Sequence, residues 1–203
     1  MTEKNFIFGY GSLINGNNRK LTGHTGYALP IRVQGVRRSW GLAVVESGMM
    51  AVCLTLDQAS YCNGMLVEVD LPELIKFDER ELIHGYERGR LQNDLIASIG
   101  VDEVPTGAFW VYRKKINISS AVMTQYPIFQ SYVDVILSGC LDVGLDFARE
   151  FILTTTGWET VWVNDRSSPR YPRAMKIVSR QNEIDTLLME MIPKAFESRK
   201  PQQ

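Results

Sequence analysis

Phe6-Ile7-Phe8-Gly9-Tyr10-Gly11-Ser12-Leu13 constrains the fold more than any other stretch of this chain. Asn5 to Phe8 reads as a buried strand, because three bulky apolar residues stand together and aromatic side chains suit a pleated surface. Gly9 and Gly11 break the run and allow a sharp turn with positive φ. With no side chain at Gly11, nearby peptide N–H groups can point at a carboxylate, phosphate or carbonyl oxygen. The same octapeptide also suits a tight strand-to-strand turn that holds no ligand. Further strands are expected at Ile31 to Val36, Leu42 to Val45, Met49 to Leu56 and Tyr61 to Val69, with Gly35 and Gly64 as bulge positions. Their short connections favour an antiparallel sheet or small barrel over a βαβ layer, which needs helical crossovers. The polar segment Asn15 to Lys20 reads as a surface loop.

The first helix is expected to start after Asp70 as N-cap, with Pro72 and Glu73 in its first turn, and to stop near Ile83, before Gly85. Gly85 to Leu91 leads into another strand, and Ala108 to Tyr112 forms one more. The basic step Arg113-Lys114-Lys115 reads as a solvated edge. The last third changes character. Helices are expected from Pro127 to Leu137 and from Leu141 to Leu153, separated by Ser138-Gly139-Cys140, and from Glu183 to Ile192. Between them, Asn164 to Arg173 reads as a polar lid held by its own prolines. The end from Ser198 is expected to fray.

A length of 203 residues with 45% hydrophobic and 22% charged residues suits one core-bearing domain. A net charge of −1 and a pI near 6.2 argue against a nucleic-acid or acidic-membrane partner. No secretory leader or membrane-spanning run is visible, so a cytoplasmic location is expected. Cys53, Cys62 and Cys140 are odd in number and widely spaced, and read as reduced thiols. His24 and His84 are the only histidines, and without HxH or HExxH spacing they give no expectation of a metal site.

The helix carries the candidate chemistry. Leu71, Leu74, Ile75, Phe77 and Leu82 share one face, and Asp78 and Glu81 fall on it too, while Lys76 and Arg80 point away. Glu81 also lies in the last turn, at the negative end of the helix dipole. Burial and dipole together would raise its pKa, as a general base working near neutrality requires. Pairing of Asp78 or Glu81 with Arg88 or Arg90 is the purely structural alternative. Ser12 lacks the flanking glycines of a nucleophile elbow, and Gly9-Tyr10-Gly11 lacks the third glycine of a dinucleotide site.

Two elements together, Tyr10-Gly11-Ser12-Leu13 and Phe77-Asp78-Glu79-Arg80-Glu81 followed by Gly85-Tyr86, resemble the γ-glutamylcyclotransferase-like family over about residues 5 to 115. The resemblance implies an α+β fold: a small mixed, mainly antiparallel β-barrel flanked by helices, here with a helical C-terminal extension. It divides the chain into residues 1–118, the barrel with its catalytic helix, and 119–203, an extension packed on the same domain. It implies an enzyme that uses no metal or organic cofactor. The substrate's own α-amine would attack its γ-carbonyl, releasing an amine or amino acid and 5-oxoproline. Glu81 would be the general acid/base. Tyr10, Gly11, Ser12 and Leu13 would hold the glutamyl unit, with Tyr86 beside it and Asp78 in support. The partner is a small γ-glutamyl molecule. The arginine-rich segment Asp165 to Arg173 is a candidate for recognising a carboxylate on the leaving side. The rival is a protein that binds a carboxylate ligand without turnover. An open pocket joining Glu81 to Gly11 and Ser12 would favour the enzyme, and a carboxylate locked to an arginine the binder. A third alternative, an interaction protein using Trp110 or the Tyr171 segment as a contact surface, predicts a filled barrel mouth.

Overall fold

The computed structural model describes residues 3–83, 85–100, 103–114 and 125–202. His84, Lys115 and the expected division at 118/119 lie outside them. The strands are β1 (Asn5–Gly9), β2 (Ala28–Val44), β3 (Met49–Val69), β4 (Glu87–Arg90), β5 (Ile96–Ser98), β6 (Ala108–Arg113), β7 (Ile128–Phe129), β8 (Thr155–Thr156), β9 (Trp162–Asn164) and β10 (Lys200–Pro201). The helices are α1 (Gly16–Lys20), α2 (Leu71–Ile83), α3 (Gln130–Val143), α4 (Leu145–Leu153), α5 (Gln181–Met191) and α6 (Pro193–Glu197).

The fold is α+β. Its main sheet runs β4-β6-β1-β3-β2-β5, with β8 also on β2. Most pairs are antiparallel, and β1–β6 and β2–β8 are parallel. No pairing among the described residues joins β4 to β5, so the closed barrel implied by the resemblance is not seen there. Strand β1 lies inside the sheet, which is why it is apolar on both faces. Phe6 and Phe8 enter one core cluster, and Ile7 enters another with Leu74, Phe77 and Tyr112.

Four expected strands merge into two. The pairing of β2 with β3 continues through Leu42↔Ala51, so the chain stays extended across Trp40 and Gly41. The break expected between Leu56 and Tyr61 survives as an excursion of Asp57 to Ser60 opposite Gly35, whose φ is 77°. Asp57 Oδ1 accepts from Ala59 N at 3.2 Å and steadies it. Gly64 is not a bulge, since Ile31 pairs with it in register. It is a point of close approach, where an added Cβ would lie 2.6 Å from the Gly9 carbonyl oxygen.

Helix α2 starts as expected, with Asp70 Oδ1 accepting from Glu73 N at 2.8 Å. Its buried stripe is narrower than the sequence face. Leu74 and Phe77 are buried, each stabilising the docked helix by roughly 1.5–3 kcal/mol, whereas Leu71, Ile75 and Leu82 are exposed. Helix α3 starts later than expected, because Ile128 and Phe129 pair with β9, and it continues through Ser138-Gly139-Cys140. Gly139 belongs inside it because the Asn15 backbone packs there: an added Cβ would lie 2.5 Å from Asn15 Cα. Gly144 makes the break between α3 and α4.

Asn15 to Lys20 is not a surface loop. Asn15 caps α1, accepting from Asn18 N at 3.0 Å, and donates to the Val135 carbonyl at 3.1 Å; Asn15 and Asn18 are both buried. The C-terminal end is tied down by β10 on β9 and by Arg199, which donates to Gln130 Oε1 at 2.5 Å. One core cluster contains Trp40, Met50 and Val52 of the sheet with Ile136, Phe151, Trp162 and Leu188 of the last third.

Candidate active site

A cavity of about 560 Å³ opens where β1 ends, and Tyr10, Gly11, Ser12, Leu13, Glu81 and Tyr86 all line it. That volume falls within the range of roughly 300–1,000 Å³ usual for small-molecule sites.

The glycine turn is built for space and not for unusual dihedrals. Neither Gly9 nor Gly11 has positive φ, and Gly11 sits at −137°. An added Cβ at Gly9 would lie 2.7 Å from Leu13 Cβ. At Gly11 it would lie 2.9 Å from Val52 Cγ2 and 3.0 Å from the Tyr132 hydroxyl. A single 3-10 turn follows over Ser12–Ile14, closed by Ile14 N donating to the Gly11 carbonyl at 2.9 Å. Among the described residues, the N–H groups of Gly11, Ser12 and Leu13 find no acceptor. Such donors suit an anion or a developing oxyanion.

Behind the turn lies Arg38, fully buried. It donates to the Asn63 carbonyl at 2.6 Å, Asn63 Oδ1 at 2.9 Å, the Phe151 carbonyl at 3.1 Å, Thr154 Oγ1 at 2.9 Å, Thr155 Oγ1 at 2.7 Å and the Tyr10 carbonyl at 3.4 Å. One side chain thus fastens α4 and β8 to the glycine turn. Burial holds its pKa below the ordinary arginine value.

The left-handed Gly85 (φ 74°) ends α2. Glu81 presents its carboxylate there, largely buried. Arg80 does not point away: its Nε donates to Glu81 Oε1 at 3.1 Å, and its Nη2 touches the same oxygen. Glu81 Oε2 has no partner among the described residues. Asp78 is placed differently. It accepts from the Tyr112 hydroxyl at 2.8 Å and pairs with Arg88 at 2.9 Å, the structural alternative foreseen for it.

Phenols surround the carboxylate. Burial pushes the Tyr86 pKa up, and the Glu81 charge adds to the rise. Burial likewise raises Tyr10, whose hydroxyl donates to the Tyr112 carbonyl at 2.9 Å. It raises Tyr132, and Tyr112 as well, where the hydrogen bond to Asp78 adds to it. Phenol hydroxyls therefore line the cavity beside Glu81, and Glu46, Arg80, Lys114 and Arg173 line it too.

Sequence reading missed Tyr132, Tyr112 and Arg80, and it read the Tyr171 segment as a lid held by prolines. That segment is hydrogen-bonded and ion-paired into the fold. Asp165 is buried, accepts from Ser131 N at 2.8 Å and Arg170 N at 2.8 Å, and so caps α3. Arg166 pairs with Asp134 at 2.7 Å and Asp185 at 2.8 Å. Tyr171, Pro172 and Arg173 then line the cavity. The paired-carboxylate logic that flagged Glu81 had no counterpart for tyrosines scattered over the whole chain. Trp110, by contrast, lies under Arg88 and Arg90 at 4.4 and 4.9 Å from its ring centroid.

This architecture defines a γ-glutamyl cyclotransferase-like fold. A solved γ-glutamyl cyclotransferase is 14% identical, aligned over 91% of this chain and 99% of its own, with a TM-score of 0.61. An uncharacterized protein from Homo sapiens is 15% identical over 81% of this chain and 95% of its own, with a TM-score of 0.58. YkqA from Bacillus subtilis is 15% identical over 77% of this chain and 57% of its own, with a TM-score of 0.50. The likeness is one of fold, and it agrees with the resemblance carried by Tyr10–Leu13 and Phe77–Tyr86. No protein-family model matches the chain, and no curated protein matches it. Among the described residues, no helix is long and apolar enough to cross a membrane.

Proposed function

We propose that the protein cyclises a γ-glutamyl amide, releasing 5-oxoproline and an amine or amino acid. The observation that carries this reading is the single cavity shared by Glu81 and the turn Tyr10-Gly11-Ser12-Leu13. Glu81 takes a proton from the substrate α-ammonium, which is no nucleophile until it loses one. The freed amine attacks the γ-carbon, a carbon–nitrogen bond forms, and the carbonyl electrons move onto oxygen. The N–H groups of Gly11, Ser12 and Leu13 face that oxygen. The ring nitrogen gives up its second proton to water, the tetrahedral centre collapses, the bond to the leaving nitrogen breaks, and Glu81 returns its proton to that nitrogen. Because amine and carbonyl belong to one molecule, attack is unimolecular, with effective molarities that reach about 10⁵ M or more in well-oriented cases.

The Arg80–Glu81 contact favours a second reading, a carboxylate binder without turnover. Its partners are sequence neighbours, so no second element clamps the carboxylate, and an incoming ammonium can displace a partly exposed guanidinium. Cys53, Cys62 and Cys140 are free thiols, a state that a reducing compartment such as the cytoplasm maintains. Incubation with γ-glutamylalanine, glutathione and γ-glutamylethylamide, followed by assay of 5-oxoproline, tests the reading. Product from at least one is expected. Tight binding with no product from any assigns the protein to the binder.

A further inference from the structure

We propose that Arg173 makes this cavity selective for γ-glutamyl compounds whose leaving portion carries a carboxylate; the proposal rests on the γ-glutamyl reading above. The segment from Asp165 to Arg173 holds three arginines, and the fold uses them differently. Arg166 is consumed by Asp134 and Asp185. Arg170 lies over the Phe129 ring, 4.5 Å from its centroid. Arg173 alone of the three lines the cavity. No carboxylate among the described residues lies within ion-pair distance of it, and its hydrogen-bond partner is a neutral hydroxyl, Thr22 Oγ1 at 2.9 Å.

The guanidinium is held in place without being neutralised. Asn18, itself buried, donates to the Arg173 carbonyl at 3.2 Å and fixes the main chain. Thr22 in turn donates to the Asn18 carbonyl at 3.3 Å. Helix α1 and its flanks are thus the scaffold of a pre-positioned cation. Of the other cations that line the cavity, Arg80 is on Glu81, and Lys114 lies against Gly85 at the end of α2. Glu81 and the glycine turn take up the glutamyl half. Arg173 remains for an anion on the rest of the ligand, and a guanidinium fork matches a carboxylate in charge and shape.

The test compares kcat/KM for γ-glutamylalanine and γ-glutamylethylamide, which differ in the leaving-side carboxylate. Wild type is expected to favour γ-glutamylalanine by about tenfold or more. Arg173→Met is expected to lower that ratio roughly 10- to 100-fold, the usual weight of a charge-assisted hydrogen bond. Arg173→Lys, which keeps the charge and loses the fork, is expected to restore part of it. An unchanged ratio in Arg173→Met overturns the proposal. So does an equal loss on both substrates, which would place Arg173 on the glutamyl half or in the fold. If neither substrate yields 5-oxoproline, the catalytic reading fails, and the same ratio is read as Kd by calorimetry. There, loss of the preference in Arg173→Met sustains the proposal, and an unchanged preference or no binding of either compound overturns it.

Discussion

The Tyr86 amide donates to the Glu81 carbonyl at 3.0 Å, across the left-handed Gly85. The cap that ends α2 therefore also places the acid and the phenol on one wall of the cavity. Tyr86 also packs against core residues from distant parts of the chain.

Gly85→Ala should expose the role of this cap. At φ 74° any side chain is strained, and an added Cβ would also lie 3.3 Å from Lys114 Cε. A loss of about 1–2 kcal/mol is expected, measured by urea unfolding. Turnover per folded molecule should fall as well, since Glu81 and Tyr86 shift together.

Gly11→Ala addresses the glycine turn, where the glycine serves close approach. The methyl group would meet Val52 Cγ2 at 2.9 Å and the Tyr132 hydroxyl at 3.0 Å. Overpacking of this kind costs about 1–3 kcal/mol. The displaced turn should raise KM for any γ-glutamyl substrate. A variant with wild-type stability and wild-type KM would contradict the role given to the turn.

The buried phenols make an alkaline prediction. Tyr10, Tyr86, Tyr112 and Tyr132 all have pKa values raised in the folded state, primarily by burial. Unfolded, each titrates near 10. Between that value and the higher folded one, the native state holds protons that the unfolded chain has released. Their contribution is therefore whole below about pH 10 and lost as pH rises above it, at up to about 1.4 kcal/mol per pH unit for each phenol. Urea unfolding at about pH 9 and pH 11 should show the fall, and phenolate absorbance should show these four of the eight tyrosines ionising only with unfolding. Ionisation of all eight near pH 10 without loss of stability would contradict it.

Much of this was legible in the sequence, for identifiable reasons. Helix α2 announced itself through Asp70, Pro72 and Gly85, which are local signals. Of the six candidate site residues, four came from the glycine turn, Glu81 from an acid on an apolar helix face and Tyr86 from the family resemblance, and all six line one cavity. Long-range partners left no local trace. The buried helix-capping role of Asn15 depends on Gly139 of α3, some 120 residues away. Asp165 looks like a loop acid until Ser131 is placed beside it. The apolar face of α2 was drawn too wide because periodicity reports a stripe without saying how much of it meets a neighbour.

The central claim is that the Glu81 carboxylate moves the proton that lets a bound glutamyl unit close on itself. The most direct measurement is 5-oxoproline release by wild type and Glu81→Gln, with the melting temperature of each recorded. The account predicts a drop of about 10²–10⁴ in kcat at a nearly unchanged melting temperature. Release by Glu81→Gln at a rate close to wild type would contradict it.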